Sequence, residues 1–133
     1  MRTVFSFRKV KSTVFGYIYR PYADVICYGQ QGRNRVITMV VDTGADYTIL
    51  PRREAAILGI DLVKDCQLTS TKGVGGDQKV YLYQRLQVQL GQTKLGIPVG
   101  FLDTNEVPPL LGRHQFMELF KTCFDNRMVS FEP

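Results

Sequence analysis

The 133-residue sequence predicts an all-β domain with one or two short helices. Runs rich in β-branched residues, such as residues 36–41, are typical of strands. Apolar and polar residues alternate over 86–90, which is the pattern of a half-buried strand. Asp125-Asn126, between two further strand-like runs, is a hairpin turn signal. The length and the 44% hydrophobic content suit a single domain with a modest core.

The elements follow one another along the chain. Pro51 can begin a short helix that ends before Gly59, and a second short helix is predicted after Gly112, where Phe116 and Phe120 fall at helical spacing. The remaining predicted elements are strands, over 22–28, 35–41, 67–70, 79–83, 86–90, 93–98, 99–102, 121–124 and 127–131.

The chemistry of this sequence centres on Asp42-Thr43-Gly44, which directly follows the strand-like run 36–41. The triplet alone is weak evidence, because Asp-x-Gly is ordinary turn chemistry. Its position at a strand end strengthens it. Gly44 permits a sharp turn, with positive φ as one option, and close approach of the backbone to a ligand.

The triplet occurs only once, whereas acid–base catalysis by two carboxylates needs a pair. Two carboxyl groups in contact cannot both ionise, so they share one proton and supply an acid and a base at the same pH. We therefore expect the second carboxylate from a second copy of the chain. The only other Asp-Thr pair, Asp103-Thr104, is followed by Asn105 and not by Gly.

Two further segments follow in order. Gly73-Val74-Gly75-Gly76 is predicted as the tip of a long hairpin, and Leu110-Leu111-Gly112-Arg113 is an apolar pair closed by Gly and Arg. Together with the Asp42 segment they resemble the retropepsin family, the single-lobe aspartic proteases of retroviruses and their cellular relatives. The resemblance spans about residues 17–132.

The resemblance implies roles for individual residues. Asp42 matches the catalytic Asp, Thr43 a residue that braces the two active-site loops across a dimer axis, and Gly44 one whose backbone approaches the substrate. The other matched positions are a substrate-lining group and a supporting group: Ala45, Asp46, Val74, Gly75 and Gly76 in the first, Leu110, Leu111, Gly112 and Arg113 in the second. Arg113 is expected to pair with Asp46 in a bidentate brace.

The resemblance also implies a closed acid-protease-like β-barrel lobe that functions as a two-fold homodimer. An extended peptide or protein substrate would bind between the subunits beneath the hairpin, which acts as a flap. Water activated between two Asp42 carboxylates would cleave the peptide bond. No metal and no organic cofactor is expected.

The other candidate chemistry is weaker. The three cysteines, Cys27, Cys66 and Cys123, are odd in number and far apart, which argues against a disulfide framework and favours a reducing, cytoplasmic location. His114 is the single histidine, so a zinc site is disfavoured. A nucleophilic pair of Cys123 with His114 is formally possible, but core packing is the better interpretation of Cys123.

The net charge is +5, and the first sixteen residues form a basic arm before a protease-like domain at 17–133. The arm is expected to be either flexible or a strand, and the alternation of its aromatic residues suits the strand. No recognised nucleic-acid motif and no run of eighteen apolar residues is present, so neither nucleic acid nor a membrane is expected as a partner.

Two alternatives stay open. The chain could be a catalytically silent dimerisation or peptide-binding module with the same fold, since fold alone does not establish turnover. It could also be a basic nucleic-acid-associated protein in which Asp42-Thr43-Gly44 is a plain turn.

Overall fold

The computed structural model describes residues 1–73 and 76–133. Within these residues the chain is mostly β-structure with one short α-helix, α1, at Arg52–Ile57 and two 3-10 turns at Gln30–Gly32 and Met117–Leu119. Twelve strands are present in the same residues: β1 Thr3–Ser6, β2 Arg8–Ser12, β3 Gly16–Arg20, β4 Tyr22–Tyr28, β5 Asn34–Val41, β6 Thr48–Leu50, β7 Gln67–Gly73, β8 Gly76–Leu90, β9 Thr93–Leu102, β10 Leu110–Leu111, β11 Lys121–Asp125 and β12 Met128–Glu132.

Seven of the strands form one sheet, in the order β4-β5-β10-β6-β9-β8-β7. Strand β8 also pairs with β4, Cys27 lying opposite Val88, so two strands far apart in this order meet again. The closed barrel itself stays a prediction. Strand β10 is parallel to β5 and antiparallel to β6, which inserts Leu110 and Leu111 between two segments from the first half of the chain.

The predicted strands 79–83 and 86–90 are two parts of the single strand β8, and 93–98 and 99–102 are both parts of β9. The pairing of β8 with β9 shifts register between Tyr83 and Leu86. This irregularity explains why the sequence pattern breaks there although the strand continues.

The two chain ends share a three-stranded sheet with the order β1-β12-β11. Strands β2 and β3 form a separate two-stranded hairpin. The predicted boundary at residue 16 therefore falls at the start of β3, and the basic arm contributes β1 to a sheet with the C-terminal strands. The division into arm and domain stays a prediction.

Helix α1 begins after Pro51 and is followed by Gly59 with φ +73°, as the sequence predicts. The second predicted helix is reduced to the 3-10 turn Met117–Leu119. Gln115 has φ +55°, and Phe116 has φ −135° with ψ −89°, so a regular helix cannot run through these two residues.

The core lies between the sheet, α1 and the C-terminal strands. Its largest fully buried apolar side chains are Phe101, Phe116, Phe131, Ile37, Met39, Leu50, Leu58, Leu86, Leu90, Ile97 and Leu111. Glu54 is also buried, at 2% exposure, and Arg35 bonds both of its oxygens, with Nε to Oε1 at 2.6 Å and Nη2 to Oε2 at 3.3 Å. No helix in the described part of the chain is long and apolar enough to cross a bilayer.

Candidate active site

Strand β5 delivers Asp42 to the site. Val41 at its end is buried and lies opposite Leu111 in the parallel pairing with β10. The N–H of Asp42 donates to the Leu111 carbonyl at 3.0 Å. The Asp42 backbone is thus fixed by a segment about seventy residues later in the sequence, while its side chain is half-exposed.

The loop after β5 folds back on the Asp42 carboxylate. Oδ1 of Asp42 accepts the Gly44 N–H at 2.9 Å, and the Asp42 carbonyl accepts the Ala45 N–H at 3.2 Å. Thr43 is exposed. Positive φ at Gly44 was one option from the sequence, but Gly44 is not among the positive-φ glycines. Close approach explains the glycine instead, because an added Cβ would lie 3.3 Å from Asp42 Oδ1.

Arg113 and Asp46 join the two segments of the site. Arg113 Nη2 lies 2.7 Å from Asp46 Oδ1, with half of the Arg113 side chain and most of Asp46 exposed. One nitrogen makes this contact, so the expected bidentate geometry is not seen. Beside it, the Arg113 N–H donates to Ala45 O at 3.1 Å and the His114 N–H donates to Asp46 O at 2.7 Å. These backbone bonds hold the segments together independently of the ion pair.

Thr48 is a supporting residue that the sequence did not identify. It is fully buried, and its Oγ1 accepts the Gly112 N–H at 3.2 Å. Gly112 packs directly on the Tyr47 backbone, since an added Cβ would lie 2.7 Å from Tyr47 Cα and closer still to the carbonyl carbon. The sequence gives little indication of this role, because Thr48 is simply the first residue of the short strand β6.

The predicted flap corresponds to the β7–β8 hairpin. Its pairing continues to Lys72 opposite Asp77 and Gly73 opposite Gly76. Gly76 has φ +107° and open space around it, which suits a hairpin tip. Val74 and Gly75 lie outside the described residues, so their predicted contact with substrate stays a prediction.

Two adjoining cavities lie on this part of the molecule. A cleft of about 220 Å³ runs along the Asp42 loop, and a larger one of about 500 Å³ reaches the hairpin stem. Tyr47 lines both, and burial, with a smaller contribution from Asp46, raises the pKa of its hydroxyl. The other lining residues are Gly44, Ala45, Asp46 and Ile49 in the smaller cleft and Thr69, Ser70, Leu82, Gln84, Pro98, His114 and Gln115 in the larger.

Residues 31–117 match the model of the family described as "gag-polyprotein putative aspartyl protease". The chain belongs to this family. It is also similar to the crystal structure of a retropepsin-like aspartic protease from Rickettsia conorii, with 21% sequence identity, a TM-score of 0.66, and coverage of 98% of this chain and 90% of that one. This likeness supports the retropepsin-like fold. The comparison with curated proteins found no relative.

The family match covers the Asp42 loop, the hairpin and the Leu110–Leu111 strand, so the resemblance deduced from these motifs is confirmed. The structure brings Asp42, Gly44, Ala45 and Asp46 together with Leu111, Gly112 and Arg113. The functional roles of these residues stay predictions. Cavity-lining residues such as Thr69, Gln84 and Pro98 had no sequence signal, because each is an ordinary strand residue and only the packing brings them together.

The cysteines of this aspartyl protease family member are free. Burial raises the pKa of the Cys27 thiol to about 12, with a smaller contribution from Glu54. Burial likewise raises the pKa of Cys66 to about 11, with Asp65 and Asp61 adding to it. His114 is largely exposed, and its Nδ1 lies 3.6 Å from a Glu118 oxygen.

Proposed function

We propose that the protein is an aspartic endopeptidase that acts as a two-fold homodimer, with one Asp42 contributed by each subunit. The observation that carries this proposal is the placement of Asp42. Its backbone is fixed between β5 and β10, its Oδ1 is held by the Gly44 N–H, and its side chain still reaches solvent. A carboxylate that is oriented yet accessible is suited to catalysis.

A single lobe offers one such carboxylate, and the pair requires a second subunit. Thr43 is exposed beside Asp42, where a neighbouring subunit could contact it. Under a two-fold axis the same surface meets itself, so each loop would supply identical residues to a shared site.

The proposed reaction is hydrolysis by an activated water. One Asp42 carboxylate takes a proton from water as the water oxygen attacks the scissile carbonyl carbon, and the protonated partner Asp42 donates its proton to the carbonyl oxygen. Collapse of the tetrahedral intermediate then breaks the C–N bond, and the leaving amine receives a proton from the first Asp42. The proton on the intermediate's hydroxyl returns to the partner, so the pair again holds one proton.

The adjoining cavities support an extended peptide as the substrate. The smaller cleft follows the loop from Gly44 to Tyr47, and the larger cleft continues from Tyr47 to Thr69 and Ser70 on β7. A peptide lying along both would contact the flap hairpin on one side and the Asp42 loop on the other. Backbone hydrogen bonds to strand-like surroundings favour an extended conformation.

The test uses Asp42→Asn, which keeps the side-chain size but removes the proton chemistry. Cleavage of an unfolded protein or a peptide library should be abolished while sedimentation still shows a dimer. Asp103→Asn is the matched control, since Asp103 also precedes a threonine but its carboxylate makes only an exposed ion pair with Arg52 at 3.1 Å. It should leave cleavage unchanged.

Mixing experiments test the shared pair directly. Equal amounts of wild-type and Asp42→Asn chains, exchanged at random, leave about a quarter of the dimers with two carboxylates, so activity per wild-type chain should fall by about half. A monomer that cleaves at full activity, indifferent to added Asp42→Asn chain, would refute the dimer. A folded wild-type dimer that cleaves nothing would identify the chain as a silent module.

A further inference from the structure

The excess positive charge of this protein is confined to its first twenty residues. Five of the 17 basic residues lie there, Arg2, Arg8, Lys9, Lys11 and Arg20, and none of the 12 acidic residues does. The other 12 basic and 12 acidic residues cancel over the rest of the chain. The whole formal charge of +5 therefore belongs to the segment that contains the β2–β3 hairpin.

The β2–β3 hairpin is anchored at its base and pairs with no other strand among the described residues. Arg8 Nη2 lies 3.1 Å from Asp24 Oδ1, which also accepts the Thr38 hydroxyl at 2.6 Å. The Arg127 guanidinium stacks on the Tyr19 ring, 3.8 Å from its centroid. These contacts fix the base of the hairpin, whereas Val14 and Phe15 at its far end are exposed.

One face of this hairpin is built from lysine and tyrosine. Lys9 lies opposite Tyr19 and Lys11 opposite Tyr17, so the four side chains share a face, and all four are exposed. Lys9 Nζ lies 4.3 Å from the centroid of the Tyr17 ring. Val10 and Ile18, on the opposite face, are half-buried.

The tip of the hairpin presents apolar side chains on a hydrogen-bonded turn. Val14 and Phe15 are each 77% exposed, among the most exposed apolar residues in the described chain. Ser12 Oγ accepts their N–H groups at 3.2 and 3.1 Å, and Gly16 completes the turn with φ +77°. The turn therefore presents two apolar side chains to solvent without exposing these two donors.

We propose that the β2–β3 hairpin docks this protein on an anionic lipid surface, with Val14 and Phe15 inserted among the acyl chains near the headgroups. From tip to base the hairpin changes from apolar to tyrosine with lysine and then to arginine, which is the order of polarity across a membrane interface. The lysines contact acidic headgroups while the tip enters the apolar layer. This proposal departs from the expectation of no membrane partner, which rested on the absence of an apolar run long enough to span a bilayer.

A lipid surface fits the hairpin better than nucleic acid or a second copy of the chain. Lys9 and Arg127 each lie over one of the two tyrosine rings. The exposed ring of Phe15 stands beside the aliphatic Val14 at the tip, which suits an apolar layer better than a polynucleotide. The tip carries no charge to meet a phosphate. A second copy would bring an equally basic hairpin to this one, and like charges oppose that contact.

The experiment is sedimentation of the full chain with vesicles. Vesicles of phosphatidylcholine with about 30% phosphatidylserine should bind the wild-type protein, pure phosphatidylcholine vesicles should bind it far more weakly, and raising the salt to about 0.5 M should release it. Lys9→Gln with Lys11→Gln should weaken binding by about 30-fold, at about 1 kcal/mol for each cation. Val14→Ser with Phe15→Ser should weaken it by about tenfold or more.

Matched controls lie elsewhere on the surface. Lys94→Gln with Lys121→Gln removes the same charge, and Val63→Ser with Leu119→Ser removes exposed apolar side chains. Both control pairs should bind like the wild type. Circular dichroism is used to check that each variant is folded. Because no measurement here uses peptide cleavage, the result is independent of the proposed catalytic function.

Several results would overturn the lipid proposal. Equal binding to neutral and anionic vesicles, or full binding by the Val14→Ser, Phe15→Ser protein, would remove the proposed roles of charge and tip. Tighter binding of a fluorescent single-stranded oligonucleotide than of vesicles would assign the surface to nucleic acid. Conversion of a wild-type dimer to monomer by the tip substitutions would assign it to a second copy.

Discussion

Gly112→Ala should destabilise the protein severely, because the methyl group has no space. Its Cβ would lie 2.7 Å from Tyr47 Cα and closer still to the Tyr47 carbonyl carbon. These are backbone atoms, and the residues on both sides of Tyr47 are hydrogen-bonded to the Gly112 segment. Ala45 and Asp46 accept from Arg113 and His114, and Thr48 accepts from Gly112 itself. A side-chain rotation cannot relieve the overlap, so the two segments must move apart.

The magnitude follows from the cost of overpacking, which is about 1–3 kcal/mol where side chains can adjust. Here the obstacle is backbone, and separation also weakens the Gly112 hydrogen bond to Thr48, worth about 1 kcal/mol. We expect a loss of about 3–4 kcal/mol in the free energy of unfolding. For a chain of this size that corresponds to a fall of about 10–15 °C in Tm.

Chemical and thermal unfolding followed by circular dichroism measure this loss, and Gly44→Ala provides the contrast. An added Cβ at Gly44 meets only the Asp42 carboxylate oxygen, at 3.3 Å. Gly44→Ala should therefore change stability by less than about 1 kcal/mol while disturbing the proposed catalytic carboxylate. A Gly112→Ala protein as stable as the wild type would refute the packing of Gly112 on Tyr47.

Three further predictions concern buried groups. Thr48→Val should cost about 1–3 kcal/mol in urea unfolding, since the Gly112 N–H loses its acceptor, and Thr48→Ser should restore most of this; equal losses would refute the bond. Arg35→Met should lower the free energy of unfolding by about 3–5 kcal/mol, because it leaves the buried Glu54 carboxylate without its main partner. Arg35→Met with Glu54→Leu should recover much of this loss, and no recovery would contradict the account. The folded-state pKa of Cys27 is raised from 9.0 to about 12, so the folded chain holds the thiol proton more tightly, and this contribution to stability is present below pH 9 and lost as the pH rises toward 12. Cys27→Ala should flatten the decline of the unfolding free energy over that range, and an unchanged slope would contradict the shift.

The sequence predicted most strands because their local patterns agree with the final packing. The run 36–41 is rich in β-branched residues, and it forms the end of β5. The exact positions of the hairpin turns were harder to predict. The β11–β12 turn was expected at Asp125-Asn126, yet Asp125 pairs with Met128 and the two positive-φ residues are Asn126 and Arg127. Composition does not indicate that an arginine adopts φ +60°, since the strand register imposes it.

The site residues that belong to a sequence motif could be predicted, whereas those that are placed by contacts distant in sequence could not. Short recognisable motifs contain Asp42, Gly44 and Gly112, whereas Thr48 bonds to Gly112 across a separation of 64 residues. The sequence around Tyr47 and Thr48 does not indicate that the Tyr47 backbone will contact Gly112. The N-terminal segment shows the same limit, because its basic character was evident but the alignment of Lys9 and Lys11 with two tyrosines depends on the hairpin register.

The bonds described around Asp42 are made by residues of its own chain, and this bears on how the proposed dimeric site could assemble. Leu111 holds the Asp42 N–H, Gly44 holds its carboxylate, and Thr48 holds Gly112 behind them. The single chain therefore already orients the Asp42 carboxylate. In the proposed dimer, association would bring together two preformed halves, so the cost of ordering the catalytic loop is met by folding and not by dimerisation. Dissociation would then remove activity by separating the carboxylates, with the Asp42 loop of each subunit still in place.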